Sequence, residues 1–237
     1  LWLLTAHPGL DGHFFNQREW MLNSEGITHM LDLVKPLNHL EILRSHLSAY
    51  AQAFDSAAGE ELSFVNEHGE QQCWFFKEGF FDIWRENNDI HVELLAAPVL
   101  LSLSGDPIPS PLHYKLVTKT QCVGFRLPVQ LAMDVIEKQG LWKSFCHWQT
   151  YQMRWFEWRD AQFIGTSTYA QIRSTLLTMA SWDAEVRSQI GVISYIQTHT
   201  HISRSVIAEM LSALRKGNYI EMQKGKLVAV HKLPLNY

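Results

Sequence analysis

Cysteine is scarce in this chain. Its three residues, Cys73, Cys122 and Cys146, form no Cys-x-x-Cys pair and no spacing that reads as a disulfide framework. That usage fits a reducing, cytoplasmic setting. Apolar runs are short, and none approaches the ~20 residues of a membrane-spanning helix, so no membrane partner is expected. The opening Leu1-Trp2-Leu3-Leu4 is too brief for the core of a signal peptide, and no basic segment stands before it. Low-complexity tracts and internal repeats are lacking. Basic residues do not dominate: the net charge is −4, which alone would not suggest nucleic acid. Twelve histidines show no recognised ligand spacing, so neither a metal nor a cofactor is expected. With no serine–histidine–acid or paired-carboxylate arrangement to be argued, the chain does not read as an enzyme.

What the chain does have is a distinctive C-terminal order, ISRSVIAEMLSALRKGNYIEMQKGKLVAV, from Ile202 to Val230. Ser203 is placed as an N-cap, its hydroxyl able to accept from a free backbone N–H. Val206, Ile207, Met210, Leu211 and Leu214 recur at helical spacing and predict one buried face. Gly217 stands where a left-handed C-cap would be, just after Arg215 and Lys216. The opposite face carries Arg204, Ser205, Ala208, Glu209 and Ser212. Small residues there permit close approach to a DNA major groove, and polar ones reach base edges. Read alone, the helix is better taken as an ordinary surface helix.

The segment after it favours the DNA reading. Two short apolar runs, Tyr219 to Met222 and Leu227 to Val230, bracket a glycine turn whose tip carries Lys224 and Lys226. Before the helix, Ile190, Ile193, Tyr195 and Ile196 predict a shorter helix, interrupted by Thr198-His199-Thr200-His201, where solvent or phosphate contact is expected of the histidines. Helix, turn, helix and basic hairpin is the order of a winged helix-turn-helix, whose partner is double-stranded DNA. From Ala184 onward, seven cationic residues against three acids give +4, so the remainder of a chain at −4 carries −8. A basic module on an acidic body is expected where only one end meets phosphate.

Upstream, candidate strands fall at Leu62 to Asn66, Cys73 to Phe76, Phe80 to Trp84, Val92 to Leu95 and Tyr114 to Thr118. Their short, even spacing predicts an antiparallel sandwich or barrel. Leu127 to Gln162 then shows helical periodicity broken only by Gly140. Within it Leu141, Trp148, Tyr151, Trp155 and Trp158 fall on a heptad seam. Such a seam packs either on the chain's own barrel or on the same helix of a second copy, and the dimer is the expectation carried forward. Residues 1–33 show no sustained periodicity and predict a poorly ordered extension. The remaining divisions expected are a β-roll over 34–140, a dimerisation helix over 141–165 and the DNA-binding module over 166–237.

This layout resembles the Crp/Fnr superfamily of transcription regulators, and more narrowly its IprA-like (YaiV-type) regulators. The residues that carry the resemblance are Arg187 to Val230, Lys232-Leu233-Pro234, Tyr237 and STYAQIRSTLLTMASWD from Ser167 to Asp183. FFKEGFFDIW (Phe75 to Trp84) and QCVGFRL (Gln121 to Leu127) carry it more weakly. The fold implied is α+β: an N-terminal cyclic-nucleotide-binding-like β-roll, a long connecting helix and a C-terminal winged helix-turn-helix. In Crp-type proteins the second helix opens Ser-Arg-Glu-Thr-Val-Gly-Arg, with both arginines and the glutamate reading bases. The aligned run here is Ser203-Arg204-Ser205-Val206-Ile207-Ala208-Glu209. Arg204 matches the first reader. Ser205 and Glu209 depart from the pattern, so the operator does not carry over.

Cyclic-nucleotide members carry a Gly-Glu and an Arg-Ser pair around the ribose and phosphate. Ala97 to Lys119 has neither, and Pro107, Pro109 and Pro111 remove backbone donors, so no cyclic nucleotide is expected. An iron–sulfur cluster on clustered N-terminal cysteines is excluded, as no cysteine precedes Cys73. The expectation is a homodimeric DNA-binding regulator, acting in a stress response with peroxide resistance as the family association. RNA polymerase is a candidate further partner. The alternative is a ligand-sensing or protein-interaction module whose work is done by the β-roll.

Overall fold

Residues 33–103 and 112–235 are described by the computed structural model of the chain. The expected 1–33 extension therefore lies outside the described residues apart from Leu33, as do Pro107, Pro109 and Pro111.

The first unit opens with α1 (Leu37–Leu47), which buries Leu40, Leu43 and Leu47 on one face. Eight strands follow: β1 (Gln52–Ser56), β2 (Glu61–Ser63), β3 (Gln72–Glu78), β4 (Phe80–Arg85), β5 (Ile90–Ala96), β6 (Val99–Leu101), β7 (Tyr114–Thr118) and β8 (Cys122–Pro128). They form two four-stranded sheets of order β1-β8-β3-β6 and β2-β7-β4-β5, antiparallel throughout. Aromatic side chains fill the space between. Phe76 of β3 stacks on Phe81 of the other sheet at 3.8 Å, while Phe75, pointing the other way, stacks on Phe125 at 4.9 Å. Gly79 joins β3 to β4 at φ 104, where a Cβ would lie 2.5 Å from the Gln121 carbonyl oxygen.

The helical region read from Leu127 and broken at Gly140 is two helices. Leu127 ends β8, α2 runs Val129–Lys138, and α3 runs Trp142–Phe163. Gly140 at φ 65 makes the break, a left-handed conformation that stops helical hydrogen bonding.

The aromatic seam is corrected at Trp148. That side chain is fully buried in its own chain, and its indole N–H donates to the Leu100 carbonyl at 2.8 Å. The reason is topological. Strand β6 lies at the edge of its sheet, so its outer carbonyls need donors, and Trp148 and Gln152 supply them. Leu141 is buried as well, and Tyr151, Trp155 and Trp158 are half-buried. Trp148 therefore offers nothing to a second copy. A different row faces outward on α3: Trp142, Cys146, Met153 and Phe156, interrupted by the half-buried Gln149, which donates to the Leu103 carbonyl.

The second unit comprises α4 (Thr168–Ala180), α5 (Ala184–Gln189), α6 (Val192–Thr200), α7 (Arg204–Lys216), β9 (Ile220–Gln223) and β10 (Lys226–Val230). Its own core gathers Ile172, Leu176, Ile196, Ile207, Leu211 and Leu227. Tyr169 and Arg173 each donate to the Pro234 carbonyl, at 2.7 and 3.0 Å, and fasten the C-terminal segment to α4. The fold is α+β: a β-roll, a long connecting helix and a winged helix-turn-helix.

Candidate nucleic-acid interface

Helix α7 begins at Arg204 because Ser203 caps it, its hydroxyl accepting from the Val206 N–H at 3.5 Å. The turn before it is made by His201 at φ 60, which ends α6 at Thr200. Ile207, Leu211 and Leu214 face the core. Arg204, Ser205, Ala208, Glu209, Ser212, Arg215 and Lys216 all stand exposed, on one continuous outward surface. Val206 corrects the apolar row: it is 39% exposed and belongs to the outward surface. Its position three residues before Glu209, on the same helical row, was the available signal.

Two other local expectations change. Gly217 does not adopt a left-handed conformation, its φ being −76; the left-handed residue is Asn218 at φ 58. At 217 the absence of a Cβ leaves room for the Tyr219 ring, which a Cβ would meet at 2.4 Å and displace. His199 is not in a solvated turn. It lies on α6, 6% exposed, with Nδ1 3.0 Å from the His91 carbonyl oxygen of β5. Burial, with His91 and Arg159 nearby, pushes its pKa down to about 3, so it carries no positive charge toward phosphate.

The hairpin closes through Lys224 at φ 47 and Gly225 at φ 78, the two positive-φ residues of a tight two-residue turn. Lys224 is exposed at the tip. Lys226 is half-buried and donates to the Gln189 carbonyl at 2.6 Å, so it holds the hairpin on α5 instead of reaching outward. The Gly225 carbonyl accepts from the Val192 N–H at 3.0 Å, which fixes the tip beside the start of α6. Arg187 likewise points inward and donates to the Ala180 carbonyl at 3.0 Å, stabilising the end of α4. The exposed cations of the module are Arg204, Arg215, Lys216, Lys224 and Lys232. Between α7 and β9 runs an open groove of about 480 Å³, lined by Ser212, Arg215, Lys216, Asn218 and Glu221.

On the β-roll, the Cys73 thiol is buried and pushed far up, and the Cys122 thiol is pushed up to about 11, so both are poor thiolates. Cys146 is exposed on α3. No group of three or more potential metal ligands comes together among the described residues. No helix among them is long and apolar enough to cross a membrane.

Comparison with known proteins agrees with this architecture. The family described as winged helix-turn-helix DNA binding matches residues 168–235. A curated Escherichia coli K12 protein named Inhibitor of hydrogen peroxide resistance is 40% identical over 208 residues, covering 88% of this chain and all of that protein. A Salmonella typhimurium protein of the same name is 38% identical over the same span. Among solved structures, a transcriptional regulator described as of the Crp/Fnr family, from Eubacterium rectale, superposes with a TM-score of 0.61. Its identity is 15%, over 85% of this chain and 95% of its own. The c-di-GMP-responsive regulator CLP of Xanthomonas campestris gives 0.59 at 11% identity, over 83% and 100%. These structures share the fold.

Proposed function

Since the chain belongs to the family of the proteins named Inhibitor of hydrogen peroxide resistance, we propose that it is a Crp/Fnr-type transcription regulator of a peroxide-stress response that binds duplex DNA through α7 and the hairpin. The observation that carries this is the outward face of α7: a capped helix with small and polar side chains exposed from its first turn, on the basic C-terminal module of an acidic chain. Arg204 is placed for bidentate pairing with a guanine edge, Ser205 and Ala208 allow close approach, and Lys224, Arg215 and Lys216 meet phosphate. Glu209 accepts from a cytosine amino group or repels phosphate, and so selects among sequences. A homodimer spaces two such helices about one DNA turn apart, and RNA polymerase is the further partner of this reading. The effector of the β-roll is not a cyclic nucleotide in this reading, because Ala97 to Lys119 supplies no arginine for a cyclic phosphate.

The test is binding to genomic fragments across a salt series, followed by footprinting of the sites retained. Steep salt dependence is expected from the phosphate contacts. Arg204→Ala should cost about 1–3 kcal/mol at a retained site and relax preference at one base pair. Lys224→Ala should weaken all sequences alike and lower the salt slope by about one. If Arg204→Ala leaves both affinity and preference unchanged, α7 is not the reading helix.

A further inference from the structure

Beside the α3–α4 contacts of Gln162, Phe163, Gln171 and Ser174, the two units meet through a group of ionisable side chains. Strand β5 presents His91 and Glu93, both nearly fully buried, to α6, which faces them with Tyr195 and His199 four residues apart. Glu93 Oε1 accepts from the Leu94 N–H at 3.1 Å and lies 3.4 Å from the Tyr195 hydroxyl. Among the described residues it forms no ion pair. His91 Nε2 is 2.8 Å from Asp82 Oδ1, and the other Asp82 oxygen takes Lys119 Nζ at 2.6 Å. A carboxylate only accepts, so His91 Nε2 carries the hydrogen. Its Nδ1 is left buried without a hydrogen-bond partner among the described residues. His199 Nδ1 faces a carbonyl and likewise carries its hydrogen, and the ring stacks on Tyr195 at 5.3 Å. From α3, Arg159 donates to the Val92 carbonyl at 3.3 Å, and Tyr151 stands near Glu93. Arg85 and Tyr114 act on Arg159 from β4 and β7.

A buried acid on β5 and a buried imidazole on α6 stand on the two sides of one interface; among the described residues neither forms a salt bridge, while His91 and Arg159 act on Glu93 and Asp82 acts on His199 from a distance. We propose that Glu93 and His199 are positioning residues that dock the DNA-reading unit on the β-roll with both side chains un-ionised in weak acid, so that their opposite proton requirements keep docking nearly level there while removal of either makes it pH-dependent. For its consequence, a fixed placement of α7 relative to α3, the proposal rests on the DNA-reading function; the docking chemistry does not.

Burial raises the Glu93 carboxyl from 4.5 to about 7 and lowers His199 from 6.5 to about 3. Between pH 4.5 and 6.5 docking therefore adds a proton at Glu93 and releases one at His199, and the two effects offset. Below 4.5 only His199 counts, and docking weakens as acid charges it. From 6.5 to 7 only Glu93 counts, and docking weakens as its proton is lost; above 7 it stays level. Removing either residue uncovers the other.

Urea unfolding of the full chain at pH 5 and pH 8, with Glu93→Gln and His199→Gln, reads this directly and needs no DNA. From those shifts, Glu93→Gln should gain roughly 70-fold in folding constant over the parent on going from pH 5 to 8. His199→Gln should lose roughly 30-fold over the same interval, and the parent itself should change only about 2-fold. Variant profiles that run parallel to the parent's overturn the proposal. Should either variant fail to fold, carbon-13 NMR of the Glu93 carboxyl in the parent decides: un-ionised at pH 6 supports the pair, ionised at pH 6 overturns it. Because neither readout contains DNA, failure here leaves the DNA-reading function standing, and failure of DNA binding leaves this result untouched.

Discussion

Trp148→Ala is expected to lower the free energy of unfolding by about 3–5 kcal/mol, the range for a large aromatic removed from a closed core. The side chain has no exposed surface, and its ring lies 5.1 Å from that of Tyr151. Its indole N–H also satisfies the Leu100 carbonyl on an edge strand. That carbonyl keeps a second donor, Gln152 Nε2 at 3.3 Å, so most of the loss is packing and the cavity left behind. Trp148→Phe should therefore cost much less, on the order of the ~1 kcal/mol of one hydrogen bond, plus a small void. Urea unfolding followed by circular dichroism measures both. A loss below about 1 kcal/mol for the alanine variant would show that α3 does not close the β-roll through this residue.

Local chemistry was legible and long-range chemistry was not. The recognition helix and hairpin could be read because their determinants are neighbours in sequence: Ser203 for the cap and Gly225 for the turn. Five strands announced themselves by apolar runs between turn residues. Strand β8 did not, because Gly124 interrupts it, and the reason for that glycine is tertiary: a Cβ there would lie 1.9 Å from the Phe75 carbonyl oxygen of β3. The polar β1 and the three-residue β6 are defined by their partners, β8 and β3, more than by their own residues. Helix α1 buries its row of leucines at 40, 43 and 47 over only about two turns, among polar neighbours.

The same limit governs the functional residues. Arg204, Ser205, Glu209 and Lys224 stand exposed because nothing distant engages them. Lys226 looked equally available for phosphate, yet it bonds to a backbone carbonyl of a neighbouring helix, as Arg187 also does. His199 looked like a turn residue because its partner, the His91 carbonyl, lies 108 positions away in the chain. Nothing near His199 in the sequence could announce that. The heptad of tryptophans posed a choice that periodicity alone cannot make, since an apolar row seeks burial whether its own sheet or a second copy supplies the cover.

That choice now points to the opposite side of α3, and the second large effect follows from it. We propose that the homodimer forms through Trp142, Met153 and Phe156, which are 43%, 63% and 57% exposed. Apolar side chains of that size at heptad spacing are the pattern by which two parallel helices pair. Phe156→Glu places a charge in such a seam, where it would be buried without a partner. The variant should sediment as a monomer at micromolar concentration. Its melting temperature should stay within a few degrees of the parent's once dimer stabilisation is allowed for, because Phe156 packs little within its own chain. Loss of the second reading helix removes the gain from binding two half-sites at once, so affinity for a two-half-site operator should fall by about 10²–10⁴-fold. Trp155→Glu is a poorer probe, since Trp155 is half-buried and its loss would disturb the monomer as well. A parent protein that is itself monomeric at micromolar concentration, or a Phe156→Glu variant that stays dimeric, would remove α3 as the pairing surface.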